Sequence, residues 1–491
     1  MCDVEKMFHA FRVHSKDRDY LRFLWWEDGD LTKEPIDHRM KVHLFGAVSS
    51  PGCANFGLKQ LAKDHEDIGK EAADFLQKDF YVDDGIKSVE TVNEGVDLIM
   101  KAREICAKGN LRLHKIVSNS REVMERIPET ERAKSVKNLD LDLDLEDSPI
   151  ERALGIQWCL ESDSFCFRLT LKDQPLTRRG ILSTVASIYD PLGFVAPFVL
   201  LGKKLLQQMC GKAMNWDDPL PDELRPLWEQ WRLELGKLSA IKISRCYKPQ
   251  NFGETKTAEL HHFSDASLSG YGQCSYLRLV DDKKQVHCSL VMGKSRVAPL
   301  KPVTIPRLEL QAAVVSTKIS DLLNRELDIA NITNIYWTDS KVVLGYINNE
   351  ARRFHIFVAN RVQRIRDSTE VNQWRYVSTH ENPADLASRG CSAEEIESSD
   401  WLVGPAFLRK DEIPIDKATT PQLLSDDPDV KKIHAVNTVR SFETRTLLHR
   451  IGKFSTWSSA VSAVAVLLRC CLRKKGTNHP PHKSSVKGLK G

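Results

Sequence analysis

Tyr81-Val-Asp-Asp84 places two adjacent carboxylates after a short apolar-aromatic run and directly before Gly85. Asp-Gly is good turn chemistry, so the stretch predicts a hairpin of Phe80 to Val82, a turn, and Ile86 to Val89, with the aspartates at its tip. Clustered carboxylates on a tight turn are what hard divalent cations bind, and two-metal phosphoryl transfer needs such a cluster. An acidic surface turn has the same local sequence. What separates the two readings is the company the quartet keeps.

A second group of acids occupies residues 258 to 390. Leu260-His-His-Phe-Ser-Asp265 reads as a strand ending in a carboxylate, followed by a Gly270-Tyr-Gly272 bend and another strand. Thr304-Ile-Pro-Arg-Leu-Glu309 opens a helix whose Leu308, Ala312 and Val315 stripe faces a core, leaving Glu309 beside it. Ile335-Tyr-Trp-Thr-Asp339 is another apolar strand ending in Asp, with a helix over 340 to 348. His380-Glu-Asn-Pro-Ala-Asp385 supplies a fourth acid. Each acid alone fits a solvated strand end or helix face. Two apolar strands that both end in Asp, with a Glu-bearing helix between them, are hard to obtain by accident.

This D-E-D-D set, with acids from two strand ends and two helices, resembles the ribonuclease H fold. The resemblance implies that Asp265, Glu309, Asp339 and Asp385 hold two Mg²⁺ (or Mn²⁺) ions about 3.5 to 4 Å apart, to activate water and stabilise the leaving 3′ oxygen. It also implies that His380 is a mobile histidine assisting product release. From Asp3 onward the chain is similar to the reverse transcriptase of BEL/Pao long-terminal-repeat retrotransposons, a region often catalogued under a Pao peptidase name. That resemblance makes Asp3 the motif-A aspartate and Asp83 and Asp84 the hairpin pair, sharing a second set of two ions. It implies that Phe8 selects deoxynucleotides, that Ser50 and Pro51 in Phe45-Gly-Ala-Val-Ser-Ser-Pro51 line the nucleotide pocket, and that Lys115 belongs to the next palm motif. Leu154-Gly-Ile-Gln-Trp158 resembles the strand leading to the primer. Read without the family, Asp3 is a helix cap, Phe8 a core residue and 49 to 52 an ordinary loop.

The expected fold is α+β and α/β: a reverse transcriptase palm and thumb with truncated fingers, then an RNase H-like mixed sheet with helices. The expected divisions are 1–125 palm with partial fingers, 126–250 palm end, thumb and connection, and 251–392 RNase H-like domain. A linker toward an integrase over 393–460, including Trp401 to Leu408, and a basic tail over 461–491 complete the chain. Residues 258 to 390 are expected to be self-sufficient. Leu224, Leu227, Trp228, Trp231, Leu235 and Leu238 fall on one helical stripe, read as a packing face in the tether. The alternating Leu139 to Leu145 is either an edge strand or a solvated linker. The expected fingers before Asp3, the metal-binding histidines and cysteines of an integrase, and an aspartic-peptidase Asp-Thr-Gly or Asp-Ser-Gly are not found.

The implied activity is RNA-directed DNA polymerase and RNase H on an RNA/DNA hybrid or template-primer, with deoxynucleoside triphosphates and other parts of a Pol polyprotein as partners. A decayed or domesticated fragment that binds nucleic acid without catalysis is the alternative. The net charge of +4 is too small to argue for nucleic acid by itself. Arg352, Arg353, Arg361, Arg364 and Arg366, with Arg178 and Arg179, are the candidates for riding phosphates. Twelve cysteines without a C-x-x-C pair predict reduced intracellular thiols, cytoplasmic (in a virus-like particle) or nuclear rather than secreted. Ala460 to Leu468 is about half the length that spans a bilayer, so it reads as an amphipathic or packing helix and no membrane partner is expected.

Overall fold

The computed structural model describes residues 1–133, 150–153, 155–169, 173–212, 214–351, 353–413, 423, 427–431 and 451–474. The alternating stretch 139 to 145, Arg352 and the tail beyond residue 474 lie outside the described residues.

The amino-terminal region runs β1 (Cys2–Val4), α1 (Met7–Ala10), β2 (Arg22–Trp25), β3 (Ile36–Arg39), α2 (Ser50–Asp64), α3 (Lys70–Lys78), β4 (Phe80–Tyr81), β5 (Asp84–Gly85), α4 (Val92–Lys108), β6 (Leu113–His114) and α5 (Arg121–Arg126). Strands β4, β5, β1 and β6 form one sheet in that order. Period-two alternation buries Cys2 and Val4 and turns Asp3 the other way. Ala54 and Leu58 of α2, Phe75 and Leu76 of α3, and Ile99, Ala102 and Ile105 of α4 close the core behind the sheet. A capping box fixes the start of α4: Thr91 accepts from the Glu94 amide while Glu94 reaches back to the Thr91 amide. The β2–β3 hairpin stands apart, every side chain of β2 exposed.

The acidic hairpin is shorter than the sequence predicts. Only Val82 and Asp83 form its tip, with Val82 at φ +59°, and Asp84 already lies in the return strand opposite Tyr81. Ile86 to Val89 do not continue as a strand. Beyond it come β7 (Ile150–Ala153), β8 (Ile156–Cys159), β9 (Ser164–Cys166) and β10 (Lys242–Ser244), a four-stranded antiparallel sheet. Gly155, at φ +89°, turns the chain between β7 and β8. The expected single strand over Leu154 to Trp158 is therefore a turn plus β8, Leu154 itself lying outside the described residues.

Between β9 and β10 run α6 (Arg178–Ala186), α7 (Ala196–Gly211) and α8 (Arg225–Glu234). Thr177 caps α6 by accepting from the Gly180 amide, and Asp190 accepts from the amides of Phe194 and Val195 just ahead of α7. The largest sheet follows: β11 (Thr255–Ala266), β12 (Gly270–Asp281), β13 (Val286–Val297), β14 (Thr333–Thr338) and β15 (Trp374–Tyr376), in the spatial order β13-β12-β11-β14-β15. The first three make an antiparallel meander, and β14 and β15 join parallel to β11. The crossovers are carried by α9 (Ile305–Glu326), α10 (Lys341–Asn348) and α11 (Ile356–Ser368), followed by α12 (Ala384–Arg389) and α13 (Ala393–Ser398). The expected bend at Gly270 and Gly272 is instead made by Ser267 to Ser269. Both glycines are strand residues whose missing side chains admit α12: a Cβ on Gly272 would lie 2.7 Å from that of Ala387.

The divisions expected at 250/251 and 392/393 cut through one hydrophobic core. Phe198 and Met209 of α7, Trp228 and Trp231 of α8, Phe263, Tyr276 and Trp337 of the large sheet, and Trp401, Phe407 and Leu408 all belong to it. Trp401 is wholly buried, donates from its indole N–H to the Phe194 carbonyl, and accepts on its own carbonyl from the Tyr276 hydroxyl. Residues 401 to 408 thus belong to the core and not to a linker, and 258 to 390 alone cover that face of the sheet only with α12. The stripe read as a tether is part of the same core, except for Leu227, which is half exposed. Behind Trp337 a buried chain of hydrogen bonds runs through His261 and Glu259 to Arg278, whose guanidinium holds the carbonyls of Leu408, Lys410 and Asp411.

Residues 432–491 form a separate unit, in which α14 (Trp457–Lys474) is described. That helix runs through the first part of the stretch 461–491 expected to be a tail. No helix among the described residues is long and apolar enough to cross a membrane.

Candidate active sites

Ser264 pairs with Thr338 in the parallel register of β11 and β14, so Asp265 and Asp339, the next residues, emerge side by side. Helix α9 starts at Ile305 and brings Glu309 over the same end within its second turn. Carboxylate oxygens of Asp265, Glu309 and Asp339 lie within 4.8 Å of one another. Among the described residues this is the one such group of histidine, cysteine or acidic side chains.

Burial, and then the charges of Asp339 and Asp385, push the Asp265 carboxyl up to about 6. Burial, and then Asp265 and Asp339, push Glu309 up to about 9. Glu309 Oε2 and Asp339 Oδ1 are buried without any hydrogen-bond partner. An orphaned buried carboxylate oxygen costs on the order of 1 to 3 kcal/mol, more when charged, so the trio is stable as a charged group only around a cation. All-oxygen donors suit Mg²⁺ or Mn²⁺.

Residues 177–340 match the family model described as the Pao retrotransposon-like RNaseH-like domain. The chain carries an RNaseH-like domain of the Pao retrotransposon type. The match starts at the cap of α6, so it takes in the helices that share the core with the sheet. Two solved RNase H structures are similar. One is the N-terminal RNase H domain of a Mycobacterium tuberculosis protein fused to maltose-binding protein, with 10% identity over 26% of this chain and 95% of that one and a TM-score of 0.20. The other is RNase H1 of Halobacterium salinarum, with 12% identity over 29% and 99% and a TM-score of 0.20. No curated protein matches the chain.

The fourth predicted acid, Asp385, lies beyond the matched residues and is not one of the tight trio. It sits on α12, where its Oδ1 accepts from Arg389 Nε at 2.6 Å. Sequence reasoning missed two neighbours of Asp385 that its helical spacing reveals. Ser388, fully buried, donates its hydroxyl to Asp265 Oδ2, and Arg389 takes Asp385 itself. Asn382 anchors the turn before α12 to β11 by donating to the Ser264 carbonyl at 3.1 Å. His380 lies beside Asp385 and Arg389 in a cleft of about 450 Å³.

Five of the arginines proposed for phosphates are engaged within the fold. Arg361 donates to Gln311 and stacks on Phe357, Arg364 pairs with Asp321, and Arg366 caps α10 through the carbonyls of Ile347 and Asn349. Arg178 donates to the Met214 carbonyl and lies over Trp216, and Arg179 pairs with Asp217.

In the amino-terminal sheet Asp3 lies directly across from Asp84, and the Asp83 carbonyl accepts from the Val4 amide at 2.9 Å. The three acids share one hairpin-and-strand corner. Burial, then the charges of Asp83 and Asp3, raise the Asp84 carboxyl above its ordinary range. Both Asp3 oxygens are occupied: His114 Nε2 lies at 2.7 Å from one, and Lys115 Nζ donates to the other at 3.1 Å. The sequence marked Lys115 but not His114. Phe8 is buried and meets Phe45 edge to face at 4.8 Å. Ser50 is buried at the start of α2 beside His43, and Pro51 is exposed next to it.

Proposed function

We propose that the RNaseH-like domain is a divalent-metal nuclease that cuts the RNA strand of an RNA/DNA hybrid. The observation that carries this reading is the tight trio of Asp265, Glu309 and Asp339, two of whose buried oxygens have no partner in the protein. Mg²⁺ or Mn²⁺, two ions in the full reading, would supply an activated water and stabilise the leaving oxygen. The chain's own contribution is to hold three carboxyl groups in one place. Ser388 fixes the orientation of Asp265, and Asp385 with His380 borders the entrance. Selectivity for RNA rests on contacts to the 2′-hydroxyl, which separates the two backbones chemically. Incubating the full chain with an end-labelled hybrid and Mg²⁺ tests the reading: parent protein cleaves the RNA strand, and Asp339→Asn does not. Hybrid binding without cleavage by the parent would favour a decayed or domesticated binding fragment.

A second reading, RNA-directed DNA polymerase, is favoured by the position of Asp3 opposite Asp84 beside Asp83. In it these acids would share cations at a primer terminus, with deoxynucleoside triphosphates packed near Phe8, Ser50, Pro51 and Lys115, within an intracellular polyprotein. Primer extension that disappears in Asp84→Asn supports it. Extension unchanged by that substitution removes it.

A further inference from the structure

Asp385 and Arg389 form an i, i+4 ion pair on α12, beside and not inside the acidic trio. The Arg389 side chain is 63% exposed, while Asp385 is 30% exposed. The guanidinium feels Asp385 first and then the charges of Asp265 and Asp339, so it stands at the margin of the whole cluster. Lys204 Nζ donates to the main-chain carbonyl of Arg389, which places a second cation behind it. The cleft alongside, about 450 Å³, opens past His380, Asn382 and Asp385. A planar guanidinium binds a carboxylate or a phosphate through the same fork of N–H donors, and an exposed pair is held by no more than about 1 kcal/mol.

From this arrangement we infer that Arg389 is a resident counter-ion that exchanges Asp385 for a backbone phosphate of a bound nucleic-acid strand, thereby releasing Asp385 toward Asp265, Glu309 and Asp339. No covalent bond is made or broken in the exchange. Arg389 acts as a positioning residue: substrate entry itself completes the fourth corner of the acidic site. Without a strand Asp385 stays neutralised, and the four carboxylates are spared their mutual repulsion.

The inference rests on the nuclease reading, and a double-mutant cycle in the full chain separates the two. Affinity for a fluorescent RNA/DNA hybrid is measured in chelator, where no cleavage occurs. Asp385→Asn frees Arg389 and is expected to tighten binding by about fivefold, whereas Arg389→Ala weakens it. In the Arg389→Ala background the Asp385→Asn effect should vanish. An equal tightening in both backgrounds would mean simple loss of negative charge and would overturn the exchange. In hybrid-free protein, Arg389→Ala is expected to take up one more Mn²⁺ per chain than the parent, by electron paramagnetic resonance of free Mn²⁺. An unchanged count overturns the release of Asp385. If Asp339→Asn leaves Mn²⁺ uptake at the parent level, the nuclease reading fails with it, a result distinct from additivity in the cycle.

Discussion

Asp265 and Asp339 leave adjacent parallel strands at the same level, because Ser264 and Thr338 are register partners one residue earlier. A slip of one residue would turn one of the two side chains to the opposite face of the sheet. The metal-site reading therefore depends on strand register, and strand register depends on the packing of both faces.

The raised carboxyl groups set a pH dependence. Glu309 at about 9 and Asp265 at about 6 both lie above the ordinary carboxylate range of roughly 4. Their folded forms favour the proton, so the stability they contribute is present below the ordinary range and is lost as pH rises through about 6 and then about 9. Thermal unfolding in chelator should show a falling midpoint over that window. Mg²⁺ should restore more stability at the alkaline end than at the acid end, and Glu309→Gln should flatten the dependence.

Ser388→Ala removes the hydroxyl that holds Asp265 Oδ2. Losing such an outer hydrogen bond typically costs about 10- to 100-fold in metal affinity. Calorimetric Mn²⁺ titration should show this drop with the fold intact by circular dichroism, whereas parent-like affinity would mean that packing alone orients Asp265.

Gly272→Val would drive a side chain into Ala387 and into the Lys294 carbonyl, which lies 2.7 Å from where a Cβ would sit. We expect about 1 to 3 kcal/mol of destabilisation from overpacking, and loss of cleavage because α12 carries Ser388 and Asp385. Denaturant unfolding and the hybrid assay together check it.

Ending the chain after residue 392 should unfold the RNaseH-like domain, since Trp401, Phe407 and Leu408 fill the face shared with α7 and β12. Trp401→Ala in the full chain should cost about 3 to 5 kcal/mol by the same logic. A soluble, cooperatively unfolding 1–392 fragment would show the segment to be dispensable.

The sequence by itself determined which residues could be metal ligands and on which kind of element each sits. The strand read over Leu260 to Asp265 and the helical spacing after Thr304 are local properties, settled by neighbours a few residues away. Residues 177–340 carry the family signature that the acids suggested. Only the tertiary structure decided that the turn before β12 lies at Ser267 to Ser269, that Trp401 belongs to the core, that Arg361, Arg364 and Arg366 serve the fold, and that Asp385 pairs with Arg389. Most of these depend on contacts between segments tens to hundreds of residues apart. The last is an i, i+4 pair whose two partners are local, but its place beside the trio depends on α12 lying close against the sheet at glycines 270 and 272.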